Sequence, residues 1–187
     1  FSSSGMVYKM KVYRLPLGTP QSKGKAMVNL LPLDEGETIS TVMELPEDES
    51  IAKDMHIMFS TASGGVRRNL LSDFTNVKAN GKIAMKLDEG DSMVAVSVCS
   101  PEDHVFLTTH NGQCIRFAVE DVRVFAGRNS TGVRGIRLQG EDRVISMSIL
   151  HGGKWTSEER DSYLRYANAK RRGEDVVAEG LSEEQIA

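Results

Sequence analysis

Three arginines, Arg128, Arg134 and Arg137, fall on one short run, Gly127-Arg128-Asn129-Ser130-Thr131-Gly132-Val133-Arg134-Gly135-Ile136-Arg137-Leu138. A planar guanidinium fork suits phosphate oxygens, and close glycines let backbone amides approach the same anion. The run reads as a turn of Gly, Asn, Ser and Thr leading into a strand. In that strand Val133, Ile136 and Leu138 are apolar, while Arg134 and Arg137 are expected to reach solvent. The chemistry on offer is anion contact. Catalytic spacing is missing: the chain has no Ser-His-Asp or Cys-His arrangement, no phosphate-cradling glycine loop before Lys-Ser, and no H-E-x-x-H motif. A glycine-rich hairpin with solvated charges would carry the same residues. The weight of the run comes from its recurrence.

The chain holds three copies of one unit with a period of about 50 residues. Each opens with an apolar residue, a small polar run and a glycine, at residues 1–5, 59–64 and 107–112. A basic strand follows at 7–11, 66–68 and 114–117, carrying Lys9, Lys11, Arg67, Arg68 and Arg116, with Arg14 just beyond the first. Adjacent strand residues point to opposite faces, so at least one of Arg67 and Arg68 is expected to face outward. A turn glycine then leads into a second strand at 24–30, 81–87 and 132–138, and an acidic turn at 34–37, 88–91 and 139–142 closes that hairpin. The last strand covers 39–45, 93–98 and 144–150. Lys78, Arg123 and Arg128 add charge beside the glycine turns. The candidate phosphate contacts are therefore Lys9, Lys11, Arg14, Arg67, Arg68, Lys78, Arg116, Arg123, Arg128, Arg134 and Arg137.

Four short strands per unit is the size of a propeller blade, and a unit that cannot bury both faces alone must stack on its neighbours. The expectation is an all-β, propeller-like domain of about three four-stranded blades over residues 1–153. Phe1 lies inside a strand signal, which predicts a start within a domain. A net charge of −3 argues against a surface that is basic all over. Bases gather on the first strand of each unit and acids in the Asp-Glu-Gly turns, so radial repetition predicts one basic edge and one acidic edge. No apolar run is long enough to cross a bilayer, and no membrane partner is expected. Cys99 and Cys114 occupy apolar strand positions without metal spacing, and are expected to be buried thiols in a reducing compartment.

After Gly152-Gly153 the pattern changes. Thr156 followed by Glu159 reads as a helix start, Tyr163, Leu164 and Ala167 form a narrow stripe, and Gly173 ends the helix. Ser182 opens a second cap signal. Residues 154–187 hold eight acids against six bases, so they are expected to form a charged, solvent-exposed helical insertion.

The combination of Phe1-Ser2-Ser3-Ser4-Gly5, Tyr8-Lys9-Met10-Lys11-Val12-Tyr13, Asn29-Leu30-Leu31-Pro32-Leu33, the run 127–138 and Asp142-Arg143-Val144-Ile145-Ser146 resembles the C-terminal domain of bacterial DNA gyrase A. The resemblance covers residues 1–153 and implies a β-pinwheel, a propeller-like ring with exchanged strands whose basic rim wraps double-stranded DNA. It implies a place in an ATP-driven type II topoisomerase that introduces negative supercoils, cytoplasmic and chromosome-associated. The partners would be gyrase B and a second copy of gyrase A in a heterotetrameric holoenzyme. ATP and Mg2+ would be used by other domains, and no cofactor is expected within these residues. The family's wrapping motif, a glutamine, two arginines, two glycines, a lysine and a glycine, does not occur here, nor does a catalytic tyrosine context. The related domain of topoisomerase IV and a propeller scaffold for protein interaction are the alternative readings.

Overall fold

Residues 1–46, 51–151 and 156–174 are described in a computed structural model. In chain order the strands are β1 (Met6–Val7), β2 (His56–Thr61), β3 (Gly65–Leu70), β4 (Lys82–Ile83), β5 (Met93–Cys99), β6 (His104–Thr109), β7 (Cys114–Ala118), β8 (Val133–Arg134) and β9 (Val144–Leu150). One helix, α1 (Ser157–Arg171), follows. The chain divides into two units, Phe1–His151 and Gly152–Ala187.

Each copy of the repeat starts with the same turn, and the hydroxyl at its corner explains why a small polar residue recurs there. The side chains of Ser2, Thr61 and Thr109 accept from the amides of Met6, Gly65 and Gln113 at 3.2, 3.1 and 3.1 Å. The amides of Gly5, Gly64 and Gly112 close the turn on the carbonyls of those same residues, with φ near +80° that only glycine adopts cheaply. The acidic residue later in each copy braces this turn. Asp91 accepts from the amides of Ser63 and Ser92 at 2.9 and 2.8 Å, and Asp142 from those of Asn111 and Arg143 at 3.0 and 2.9 Å. Glu37 does the same work in the first copy, accepting from Ser4, Tyr8 and the Asp34 amide.

The second strand of the second and third copies does not fold back on its own unit. β4 pairs with β1 of the preceding copy and β8 pairs with β3 of the preceding copy, both antiparallel. At each crossing a turn carbonyl receives two amides: Gly5 from Ala84 and Met85 at 2.8 and 3.1 Å, Gly64 from Gly135 and Ile136 at 2.8 and 3.3 Å. The strand exchange implied by the resemblance is therefore present, and the closed hairpin expected for residues 81–91 and 132–142 is not. The exchanged strands are two residues long because glycine turns and buried side chains take over on either side of them.

Exchange also decides the strand count. The sheets have two strands (β1-β4), four strands (β5-β2-β3-β8) and three strands (β7-β6-β9). Only the middle sheet is four-stranded among the described residues: it adds β8 of the third copy to β2, β3 and β5 of the second, while the first sheet joins β1 to the borrowed β4 and the third takes no strand from another copy. Residues 24–30 hold a 3-10 turn, Met27–Asn29, in place of the expected strand, whereas the matching segments of the later copies pair with a preceding unit.

The core lies between sheets. One layer joins Val7, Ile57, Phe59, Leu71, Phe74, Ala84, Met85, Met93 and Val96, and another joins Met58, Val66, Val105, Leu107, Val119, Ile136 and Val144. Ile57 and Phe59 point into the first layer and Met58 into the second, so the apolar run Ile57-Met58-Phe59 buries β2 on both faces. Phe1, Phe59 and Phe74 meet with ring centroids 5.5 to 5.9 Å apart, each such pair adding about 0.5–1.5 kcal/mol beyond burial. β6 is buried on alternate residues only, Val105, Leu107 and Thr109, since β7 and β9 flank it and one face lacks a covering layer. This corrects the cysteine expectation. Cys99 is buried, and burial pushes its thiol up to about 12, whereas Cys114 on the edge strand β7 is exposed.

The helical unit starts as its cap predicts. The Glu159 amide donates to Thr156 Oγ1 at 3.2 Å and the Thr156 amide to Glu159 Oε2 at 2.7 Å. Gly173, at φ +76°, follows the last turn. The second cap signal at Ser182 lies outside the described residues.

Candidate nucleic-acid interface

The candidate cations divide into those that reach solvent and two that are buried. Arg67 and Arg68 are both buried, at 0% and 7% exposure, contrary to the expectation that one would face outward. Arg68 shares a face of β3 with Val66 and lies opposite Met58, both in the second core layer, and Arg67 is met by the loop that leads into β8. β3 lies inside its sheet between β2 and β8, and the segment leading into β8 runs along its far side: the Phe125 amide donates to the Arg68 carbonyl at 2.8 Å, and Arg68 forms a parallel bridge with Val124. Arg67 Nη1 donates to the Ser130 carbonyl at 2.6 Å. Its guanidinium stands 5.2 Å from the centre of the Phe125 ring, and that of Arg123 stands 4.1 Å from the same ring. Burial lowers the pKa of Arg67; Asp73 opposes that shift and Arg128 adds to it. Arginine stays charged even so, which makes Arg67 a buried cation.

Asn69 completes the clamp. Its amide nitrogen donates to the carbonyls of Phe125 and Gly127 at 2.8 and 3.2 Å and to Asp73 at 3.2 Å. The loop from Val124 to Gly132 is thus held to β3 by two side chains of the preceding copy, and it carries Arg128 half-buried and Arg123 exposed at its base. The previous junction is a simpler version. Lys9 Nζ donates to the Thr75 carbonyl at 2.6 Å, and Lys82 Nζ to the carbonyls of Asp73 and Asn76 at 3.2 Å each.

Lys9, Lys11 and Arg14 line one groove of about 440 Å³ together with Thr75, Asn76 and Val77, and Lys78 follows that segment exposed. Arg134 and Lys86 share a polar groove of about 270 Å³ with Thr131, Gly132 and Ser63. Arg116 on β7 and Arg137 after β8 are exposed. The candidates therefore form separate stations along the junctions between copies. Sequence reasoning passed over Lys86, which holds the same repeat position as Arg137 and is equally exposed; aligning 81–87 on 132–138 finds it. It also passed over Asn69 and Phe125, whose roles depend on contacts 56 residues apart. Among the described residues no group of three or more His, Cys, Asp or Glu is placed to hold a metal ion, and no helix is long and apolar enough to cross a membrane.

Sheets that each lend a short strand to the one before, with cationic loops at each loan, define a strand-exchanged β-propeller. Residues 1–51, 56–100 and 103–151 match the family described as DNA gyrase C-terminal domain, beta-propeller, and the chain belongs to that family. It is 55% identical over 174 residues to the DNA gyrase A protein of Granulibacter bethesdensis, covering 92% of this chain and 18% of that protein. The chain spans about a fifth of the length of the curated relatives it matches. A solved C-terminal domain of DNA gyrase A superposes with a TM-score of 0.61 at 25% identity, covering 78% of this chain and 45% of that one. The C-terminal domain of DNA topoisomerase IV superposes with a TM-score of 0.72 at 24% identity, covering 81% and 46%, which is a likeness of fold.

Proposed function

We propose that this chain is the DNA-wrapping part of a DNA gyrase A protein, and that the exposed cations at its sheet junctions hold the backbone of double-stranded DNA. The observation that carries the reading is the repetition of the stations: each exchanged strand is entered by a loop or followed by a residue that presents lysine or arginine, as with Lys78 and Lys86 at one junction and Arg123, Arg134 and Arg137 at the next. Cations that recur from junction to junction suit a polymer of repeated phosphates. Contacts of this kind fix position on the duplex without reading bases, and the cost of bending DNA is offset by the number of phosphates engaged.

On this reading the chain contributes binding and geometry, and the chemistry of strand passage belongs to other parts of an ATP-driven type II topoisomerase that introduces negative supercoils. ATP and Mg2+ act there, with gyrase B and a second copy of gyrase A as partners in the bacterial cytoplasm. The sequence relatives named as gyrase A favour this over topoisomerase IV.

The test is topological. Nicked circular DNA saturated with the protein is sealed by ligase, deproteinised and resolved by linking number. A shift of the whole distribution in one direction is expected, because wrapping has a hand; a distribution centred where protein-free DNA falls would overturn the reading.

A further inference from the structure

Arg67 is a costly residue where it stands. It is wholly buried, its Nη1 has the Ser130 carbonyl, and its Nε and Nη2 have no hydrogen-bond partner among the described residues. A buried cation with unmet donors destabilises a fold, and an apolar side chain of similar length would pack there at less cost. What the arginine does that an apolar residue would not is grip the loop: it binds the carbonyl of Ser130, which is exposed, and stands against Phe125, the ring that also seats Arg123. The crossing leaves little slack, since a Cβ on Gly132 would lie 2.3 Å from the Val66 carbonyl and 3.1 Å from Arg67 Cβ.

Resting on the DNA-binding reading above, we propose that Arg67 is a positioning residue: it touches no phosphate and instead holds residues 123–131 in the shape that presents Arg123 and Arg128 to the DNA backbone. Its counterparts show why the role is local to this junction. The equivalent position is Tyr8 in the first copy, where the ring lies 2.6 Å from a Cβ built on Gly81, and Ile115 in the third, which is exposed on the edge strand. The shorter loop 75–80 is gripped by Lys9; the longer loop 123–131 needs the inner arginine.

The experiment is a double-mutant cycle on the whole chain, with binding to a fluorescein-labelled linear duplex followed by anisotropy across a salt series. Arg67→Met is expected to weaken binding about tenfold and to lower the salt slope by about two, the loss of two presented cations, although Arg67 is out of reach of DNA. In a chain already carrying Arg123→Ala and Arg128→Ala, adding Arg67→Met should change neither number. Arg67→Lys keeps the charge without the fork and should recover less than half of the loss on a logarithmic scale. An undiminished effect of Arg67→Met in the doubly substituted chain, or an unchanged affinity from Arg67→Met alone, overturns the proposal while leaving DNA binding by the parent intact. Failure of the parent itself to bind the duplex overturns both. Should Arg67→Met not fold, Asn129→Gly with Ser130→Gly loosens the loop at exposed positions; it should lower affinity in the parent and have no effect once Arg123 and Arg128 are alanine, and any other pattern contradicts the proposal.

Discussion

Gly5 sits directly over the carbonyl of Met85, 80 positions further along the chain: a Cβ on Gly5 would lie 2.3 Å from that oxygen. The Gly5 carbonyl in turn receives the amides of Ala84 and Met85, so the contact is where one copy of the repeat is locked to the next. Gly112 has the same turn and the same positive φ with nothing within 4 Å of its Cβ position. The pair separates two costs. Alanine at either glycine bears about 1–2 kcal/mol for left-handed backbone. Gly5→Ala should cost at least about 2 kcal/mol more, because backbone must move to make room. Chemical denaturation of the two variants checks this; equal losses would mean that the crossing has room for a methyl group.

Glu37 gives a pH dependence of known sign. Burial works against its charge, but hydrogen bonds from the Ser2 and Ser4 side chains, the Asp34 amide and the Tyr8 hydroxyl outweigh it and hold the carboxyl below the ordinary carboxylate range. A carboxyl depressed in the folded state contributes stability above its unfolded pKa, near 4.3, and that contribution is lost as pH falls through the folded value. Stability should therefore drop on acidification below roughly pH 4.3. Glu37→Gln should be less stable at neutral pH and should lack this part of the acid slope. Urea unfolding across that interval decides; parallel curves for parent and variant would remove Glu37 from the account. Tyr8, whose phenol burial and the Glu37 charge push up to about 12, should show no ionisation near pH 10 by ultraviolet difference spectra.

The two thiols should part company. Cys99 is buried and its thiol is pushed up to about 12, first by burial and then by Asp103, so the reactive thiolate is scarce. Cys114 is exposed on β7, the edge of its sheet. A chromogenic disulfide reagent at neutral pH should titrate one thiol rapidly in the native protein and both after unfolding. Rapid reaction of neither would mean that the β7 edge is covered in solution.

Much of the architecture was legible from the recurrence of residue types. The turn at Gly5, Gly64 and Gly112, the acids at Glu37, Asp91 and Asp142, and the Thr156 cap all follow from local hydrogen bonding, which sequence spacing encodes. The exchange of β4 and β8 is invisible to periodicity, because a two-residue strand has the same pattern whichever neighbour it joins. The same limit governs the site. Alternation does put Arg67 and Arg68 on opposite faces, yet both faces are covered: Arg68 shares its face with Val66 in the second core layer, and Arg67 is met by the Ser130 carbonyl and the Phe125 ring of the loop from the next copy. Basic character marks the junctions; only the three-dimensional path of residues 124–132 tells Arg67, which grips backbone, from Arg134, which faces out.

The salt dependence of duplex binding tests the central claim most directly. If the exposed cations engage phosphates, affinity should fall by about three orders of magnitude between roughly 50 and 200 mM salt. Replacing Lys78, Arg123, Arg134 and Arg137 together by alanine should lower the logarithmic slope by about one for each contact removed. A parent whose binding is insensitive to salt, or a fourfold variant with the parent's slope, would contradict the assignment of this rim to DNA.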